Sequence, residues 1–138
     1  LISKIKKYKK YKKNKFEYLC GNIFNKDFMM QLRKYNKKSK KNILYYLLPN
    51  KKFSKNTLLQ LKKQNIKMIL IFSKYACKSF FSICKFHKLE KSTLSKIRYI
   101  TLSKDIAIMP QLNRKEVIWA TQPQLASMLK KATTHYSA

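Results

Sequence analysis

Acidic residues are scarce in this sequence: five Asp and Glu stand against 33 Lys and Arg among 138 residues. So few carboxylates leave little material for catalysis that depends on a positioned pair of acids. The formal net charge of +28 also far exceeds the charge that keeps a small domain soluble. Because such a chain repels itself unless counter-charges surround it, the composition predicts a polyanionic partner.

Glycine, paired cysteines and long apolar runs are also lacking. With Gly21 as the single glycine, a glycine-rich phosphate cradle is impossible, which excludes P-loop nucleotide hydrolysis. Cys20, Cys77 and Cys84 form no C-x-x-C pair, so we expect buried free thiols, not a disulfide framework or a four-ligand zinc site. The apolar runs fall well short of the roughly 20 residues that a membrane span needs. The sequence therefore predicts no metal, no cofactor and no membrane span.

What is present is the composition of a folding chain, with 45% hydrophobic and 13% aromatic residues in a length that suits one domain. Of the 33 basic residues, 30 are Lys and three are Arg, which favours contact with phosphate over base recognition by the Arg fork. Lys, Asn, Ile, Tyr and Phe, whose codons are rich in A and T, make up half of the chain. This bias indicates an A/T-rich genome, and we expect a mitochondrial protein.

Charge is unevenly distributed along the chain. Residues 1–104 hold 27 Lys and two Arg against three acids, a sum of +26, which leaves +2 for residues 105–138. We therefore expect the first part to face nucleic acid. The last part, with Trp119, Leu125 and Leu129, is expected to face the domain core or a protein neighbour.

Strand patterns recur along the chain. Alternation and short apolar runs predict strands at 15–20, 43–48, 67–72, 97–102 and 106–108. The continuous apolar run at 43–48 is typical of a strand that is covered on both faces. Gly21 is expected to turn the chain directly after the first strand.

Helix patterns alternate with these strands. Helices are predicted to begin after Asn25, Ser54 and Ser73, at the capping-box spacing Asn113–Glu116, and again at Thr121–Gln124. The alternation predicts an α/β fold: a single small domain with a mixed sheet and helices packed on it. Residues 1–15 are predicted to form a basic N-terminal helix or arm, and residues 16–138 an α/β domain that binds nucleic acid.

Four strings stand in order along these elements: Met30-Gln31-Leu32-Arg33-Lys34, Lys55-Asn56-Thr57-Leu58, Ile69-Leu70-Ile71-Phe72-Ser73 and Pro123-Gln124-Leu125. They resemble the ribosomal stalk-base protein family of the large subunit, the bacterial L-ten type, in a divergent mitochondrial form. The resemblance implies a basic α/β domain that binds large-subunit ribosomal RNA beside neighbouring ribosomal proteins of the stalk base.

Two departures from that family stand out. Asn22 occupies the place of the family's arginine after the first strand, and the chain ends at Ala138, where bacterial relatives continue into a long helix that carries the acidic stalk proteins. Recruitment of acidic stalk proteins is therefore left open.

Lysine clusters are the candidate RNA-binding site. Ordinary solvated faces mix both signs of charge, whereas these do not. Asn56 and Thr57 suit hydrogen bonds to phosphate or 2′-hydroxyl groups, with helix capping as the alternative. The predicted RNA-binding residues are Lys6, Lys7, Lys9, Lys10, Lys12, Lys13, Lys15, Lys37, Lys38, Lys40, Lys41, Lys51, Lys52, Lys55, Asn56 and Thr57.

Catalytic groups are few. Cys84 and His87 stand at i, i+3 on a predicted helix, but no third group accompanies them, and His135 is far away in sequence. We therefore expect a protein that is not an enzyme and has no small-molecule substrate. The function predicted from the sequence is a structural constituent of the mitochondrial ribosome, and the alternatives are another organellar ribosomal protein or a basic membrane-associated subunit of a respiratory complex.

Overall fold

The computed structural model describes residues 15–113 and 116–136. Contacts divide the chain between Leu48 and Pro49 into two compact units, here called the N-terminal unit and the C-terminal unit. The predicted basic helix or arm lies outside the described residues, apart from Lys15. Its boundary at residue 15 stays a prediction.

The N-terminal unit is one strand–helix–strand motif. It consists of β1 (Glu17–Gly21), α1 (Lys26–Tyr35) and β2 (Lys40–Tyr45), and the two strands pair in parallel. As predicted, α1 begins after Asn25, whose side-chain oxygen accepts a hydrogen bond from the Phe28 backbone N–H at 2.9 Å. This bond satisfies one of the backbone donors that a helix start leaves unpaired.

Among the described residues of this unit, α1 covers one face of the sheet, and apolar residues on the opposite face are exposed. On the covered face, Tyr18 packs edge-on against Phe28 with 5.0 Å between ring centroids, and α1 buries Met29 and Leu32. On the opposite face, the side chains of Leu19 and Leu44 are 57% and 64% exposed. The prediction that both faces of the 43–48 strand are covered is therefore wrong, because the helix of this unit packs on one face alone.

Gly21 ends β1 without turning the chain. It pairs with Tyr45 across a register shift, and its φ is not positive. A Cβ at this position would lie 2.6 Å from the Tyr45 ring, so the residue permits a close approach. Asn22 follows, and its side-chain amide binds the backbone N–H of Leu47 at 2.8 Å and its carbonyl oxygen at 3.3 Å.

The C-terminal unit is built around a three-stranded parallel sheet. Its elements are α2 (Lys55–Lys62), β3 (Met68–Ile71), α3 (Lys74–Phe86), α4 (Lys91–Ser95), β4 (Arg98–Thr101), α5 (Lys104–Ala107), a short 3₁₀ helix (Pro110–Leu112), β5 (Val117–Trp119) and α6 (Leu125–Tyr136). The strand order is β3-β4-β5, and Ile71, Thr101 and Trp119 stand in register at one end. The predicted α/β class is confirmed, and the described strands form two parallel sheets.

Two local expectations are wrong. Residues 106–108 do not form a strand, because the chain turns through α5 and buries Ile106. The helix predicted from Asn113 is absent, because Val117–Trp119 pairs with β4, and this tertiary pairing outweighs the local capping signal. The last helix is confirmed, but it buries Met128 and leaves Leu125 and Leu129 about half exposed.

Strand β4 supplies both cores of the C-terminal unit. On one face, buried Tyr99 packs against Phe80 and Phe81 of α3, in the cluster that holds Cys77 and Cys84. On the other face, Ile100 packs with Ala120 and Met128. Helices on both faces are what a parallel sheet requires. The prediction of buried free thiols is confirmed for Cys20, Cys77 and Cys84.

Serine precedes three helices of this unit, with unequal results. Ser54 and Ser73 cap α2 and α3 as predicted, and the Ser73 hydroxyl accepts from the Ala76 N–H at 3.0 Å. Ser103 precedes α5 with nearly the same backbone angles as Ser73 (φ −154° and ψ 160° against −155° and 157°). Its hydroxyl makes no hydrogen bond within the described residues.

Replacing Ser73 by Ala is expected to lower the free energy of unfolding by about 1 kcal/mol, because α3 loses its capping bond. The matched change Ser103→Ala removes a hydroxyl of the same backbone conformation that caps nothing, so we expect an effect within a few tenths of a kcal/mol. Chemical denaturation of both variants measures the difference. Equal losses would show that Ser73 does not stabilise α3 through its side chain.

Tyr99 is expected to make stability pH-dependent. Its buried hydroxyl donates to the Leu94 carbonyl oxygen at 3.0 Å, and burial, aided by the Cys84 and Cys77 thiols, raises its pKa above the ordinary value of 10.0. Because the unfolded chain loses this proton first, the stabilising contribution is present below pH 10 and declines as pH rises further. Tyr99→Phe should cost about 1 kcal/mol at neutral pH and flatten the alkaline decline.

Denaturation curves at neutral and alkaline pH check this expectation. Tyr46→Phe is the control, because that side chain is 71% exposed. If the alkaline decline had the same slope in Tyr99→Phe as in the parent chain, its origin would lie in other groups.

Candidate functional site at the carboxyl edge of the C-terminal sheet

The carboxyl ends of three parallel strands meet at one edge of the C-terminal sheet. Because Ile71, Thr101 and Trp119 are in register, the segments that follow them leave the sheet side by side. We call these segments the carboxyl edge: Phe72–Lys74, Leu102–Lys104 and Trp119–Thr121. Ligands of parallel α/β sheets bind outside this end of the strands, which makes the edge the first candidate site.

Two of the three segments repeat one pattern. An apolar residue, a serine and a lysine follow both β3 and β4, as Phe72-Ser73-Lys74 and Leu102-Ser103-Lys104. Each pattern leads directly into a helix, so a hydroxyl and an ammonium group stand at each strand end. The third segment supplies the hydroxyl of Thr121, which lies 3.0 Å from the Ser127 hydroxyl. The predicted capping role of Thr121 is replaced by this side-chain pair.

The lysines of the edge are exposed and lightly paired. Lys74 Nζ lies 3.9 Å from the Asp105 carboxylate, with both side chains mostly exposed, so the pair adds little stability. Lys104 Nζ lies 5.9 Å from the centroid of the Trp119 ring, within range of a weak cation–π contact. Both ammonium groups are therefore available to bind an anion from solvent.

Aromatic rings flank the lysines, and a buried residue supports them. Phe72 and Trp119 are 48% and 44% exposed. Beneath them, the fully buried Thr101 hydroxyl donates to the Ser103 carbonyl oxygen at 3.0 Å, which holds the central segment to the sheet. Positive charge, the Ser103 hydroxyl, which makes no capping bond, and exposed rings together suit a ligand that carries carboxylates on aromatic rings. No group of three or more potential metal ligands occurs in the described ranges.

The N-terminal unit carries a second basic feature, a groove of about 540 Å³ along α1. Lys41 Nζ stands 4.3 Å above the Phe24 ring at its wall. Among the residues that the structure describes, the groove is lined by Phe24, Lys26, Met29, Met30, Arg33, Lys34, Lys37 and Lys41.

The predicted RNA-binding residues are dispersed. Lys6 to Lys13 lie outside the described residues, and Lys15 pairs with Glu17 at 3.2 Å. The N-terminal unit holds the basic residues before and on β2, and the C-terminal unit holds those before and at the start of α2. These two sets are Lys37, Lys38, Lys40 and Lys41, and Lys51, Lys52 and Lys55.

Asn56 and Thr57 take part in the local structure of a helix start. The Thr57 N–H donates to the Ser54 hydroxyl at 3.1 Å, and the Asn56 side-chain oxygen accepts from Gln60 at 3.4 Å. The capping alternative describes these contacts, and a contact of either residue with an anion stays a prediction.

His87 has a structural partner. Its Nε2 accepts a hydrogen bond from the Phe53 backbone N–H at 3.2 Å, and its ring stacks on Phe53. Because this acceptor is occupied, the Cys84–His87 spacing on α3 does not form the nucleophile and base of a hydrolytic couple.

Sequence reasoning missed Ser103 and Lys104 as site residues. The signal was the repeated apolar-Ser-Lys pattern after two strands that the sequence does predict, at 67–72 and 97–102. In a parallel sheet such repeats meet at one edge, which gives them a shared site.

Comparison with protein families gives one assignment. The family model of uroporphyrinogen-III synthase HemD matches residues 1–130, which include the whole carboxyl edge. No curated protein matches the chain. In the described ranges, no helix is both long enough and apolar enough to cross a membrane.

This match overturns the ribosomal interpretation. The resemblance to the stalk-base family, the roles in the ribosome and in translation, and the partners ribosomal RNA and ribosomal proteins are all wrong. So are the expectations of no enzyme and no small-molecule substrate, and the two alternatives find no support. The strings behind the resemblance include a helix start and a strand followed by a capping serine, features that many α/β proteins share.

The family model covers residues 1–130 of the 138, and the chain belongs to the uroporphyrinogen-III synthase HemD family.

Proposed function

We propose that the chain acts in tetrapyrrole synthesis, on hydroxymethylbilane, and that the carboxyl edge of the C-terminal sheet binds this substrate. The observation that carries the proposal is the placement of Lys74, Ser103 and Lys104 directly after two neighbouring strand ends that stand in register, beside exposed aromatic rings. Family membership supports an enzyme with this small-molecule substrate.

The chemistry of the substrate suits these groups. Hydroxymethylbilane is a linear tetrapyrrole that carries carboxylate side chains on its pyrrole rings. Ammonium groups and hydroxyl donors bind carboxylates through charge-assisted hydrogen bonds, and aromatic side chains pack on the faces of pyrrole rings. The polyanionic partner inferred from the net charge is thus a small organic molecule in this proposal.

The reaction is a ring closure that balances without an oxidant or a reductant. The C–O bond of the hydroxymethyl group breaks, and its carbon bonds to the carbon of the terminal pyrrole that already carries the rest of the tetrapyrrole. The older bond to that carbon then breaks and re-forms at the unsubstituted carbon of the same pyrrole, which loses a proton, so the terminal ring is inverted as the III isomer requires. The departing hydroxide and the proton together make one water molecule. The protein orients the two ends of the hydroxymethylbilane molecule and donates a hydrogen bond to its leaving oxygen.

The roles in this proposal follow from position in the sheet. Lys74 and Lys104 bind carboxylates of the substrate at neighbouring strand ends. Ser103, at the centre of the edge and with its hydroxyl unengaged, donates a hydrogen bond to the leaving hydroxyl group. The Trp119 ring contacts a pyrrole ring beside Lys104. The excess positive charge of the chain also draws the substrate in from solution, so we expect association to slow as salt is added.

Ring closure of freshly prepared hydroxymethylbilane by the full chain tests the proposal. The III isomer, separated chromatographically after oxidation to the porphyrin, should form faster than in the absence of protein. We expect Lys104→Met to raise KM about tenfold, because a charged hydrogen bond to a carboxylate is lost. Ser103→Ala should lower kcat while leaving stability almost unchanged.

Lys85→Met is the matched control, since it removes the same charge from an exposed residue in the last turn of α3. If the parent chain does not accelerate formation of the III isomer, the function is wrong. If Lys104→Met and Lys85→Met behave alike while the parent is active, the function stands and the carboxyl edge is not the site.

We also propose a mitochondrial location. It is supported by the residue types with A- and T-rich codons, which make up half of the chain. Immunofluorescence of the endogenous protein against a mitochondrial marker is expected to show overlap, and a separate distribution would refute the location without affecting the activity.

A further inference from the structure

The groove of the N-terminal unit combines an apolar floor with a rim of one charge. Met29 lies almost fully buried at its base, while Met30 is 53% exposed and available for contact. Of the described lining residues, five are Lys or Arg, three are apolar and none is acidic. A volume of about 540 Å³ lies in the range of sites for small molecules.

Nearby acids do not neutralise the rim. Glu17 is engaged with Lys15 at 3.2 Å and with the Asn42 side chain at 2.7 Å, and it does not line the groove. Asp27, in the first turn of α1, is also absent from the lining. The positive charge of Arg33, Lys37 and Lys41 is therefore left for an external anion.

One of these cations has a fixed position. Lys41 Nζ stands 4.3 Å above the Phe24 ring, and the contact restrains an otherwise flexible side chain at the wall of the groove. The two methionines beside it are adaptable and polarisable, and they fit flat apolar bodies of varied outline. The lining therefore complements a molecule that has an apolar body and an acidic group at its margin.

We propose that this groove is a binding site for small organic carboxylates with a flat apolar body. The basic rim requires a negatively charged ligand, the methionines and Phe24 require an apolar body, and the volume of the groove limits the size of the ligand. The site lies wholly within the N-terminal unit, so it stands independently of the site proposed at the carboxyl edge of the C-terminal sheet.

Fluorescence titration of the full chain with pyrene-1-carboxylate tests the proposal. Lys37→Glu and Lys41→Gln should each raise the Kd about fivefold or more. Lys38→Glu and Lys40→Gln are matched controls, because they make the same charge changes at adjacent residues that do not line the groove, and they should leave Kd nearly unchanged. Met30→Ser should weaken binding through loss of apolar contact.

Two comparison molecules separate the contributions of charge and apolar surface. Neutral pyrenemethanol should bind more weakly than the carboxylate, and citrate, which lacks an apolar body, should compete poorly. The proposal is overturned if pyrene-1-carboxylate does not bind, or if the variants at Lys38 and Lys40 lose as much affinity as those at Lys37 and Lys41. It is also overturned if citrate displaces pyrene-1-carboxylate effectively. Hydroxymethylbilane is not used in these titrations. A negative titration would therefore leave the ring-closure proposal standing, and a negative ring-closure assay would leave the groove proposal standing.

Discussion

The double pairing of β4 is the constraint on which the C-terminal unit depends. Tyr99, Ile100 and Thr101 are fully buried, and the strand bonds to β3 on one side and to β5 on the other. Alternate side chains of this short strand reach opposite cores, so a slip of one residue would exchange Tyr99 and Ile100 between the α3 and α6 faces. The same register places three strand ends side by side. Core packing and the geometry of the carboxyl edge are therefore fixed by one set of hydrogen bonds.

The net charge of the chain indicates that its partner is negatively charged, but it does not identify the class of that partner. Thirty-three basic residues against five acids indicate a polyanion, and both RNA phosphates and tetrapyrrole carboxylates satisfy that condition. Nucleic acid was inferred from that charge, and the choice of ribosomal RNA came from short strings such as Lys55-Asn56-Thr57, which the structure shows to be a helix start capped by Ser54. Such strings are constrained by local folding, so they recur in proteins of unrelated function. The feature on which the proposed site rests is the repeat of Ser73-Lys74 and Ser103-Lys104 at corresponding strand ends.

Local signals predicted the parts of the fold that local chemistry decides. Asn25, Ser54 and Ser73 begin helices because each side-chain oxygen satisfies a backbone donor three residues later. The segments 106–108 and 117–119 were predicted wrongly because tertiary contacts decide their conformation: α5 buries Ile106, and residues 117–119 pair with β4. Burial of the 43–48 run was mispredicted for the same reason, since an apolar sequence does not reveal how many layers pack on it. The carboxyl edge is assembled from three separate segments. It can be predicted only when the strand order is known, and hydrophobic periodicity does not give that order.

The exposed apolar residues on one face of the β1–β2 sheet have a consequence for the behaviour of the protein in solution. Leu19 and Leu44 present apolar surface to water on a chain whose copies repel one another strongly. At about 0.01 M salt that repulsion extends roughly 30 Å, whereas at about 1 M it is confined to roughly 3 Å. Raising the salt concentration thus removes the barrier that keeps two such faces apart while leaving their mutual attraction intact. The colloidal stability of this protein is therefore electrostatic, and it is greatest in the dilute buffers in which an anionic ligand is also drawn to it most strongly.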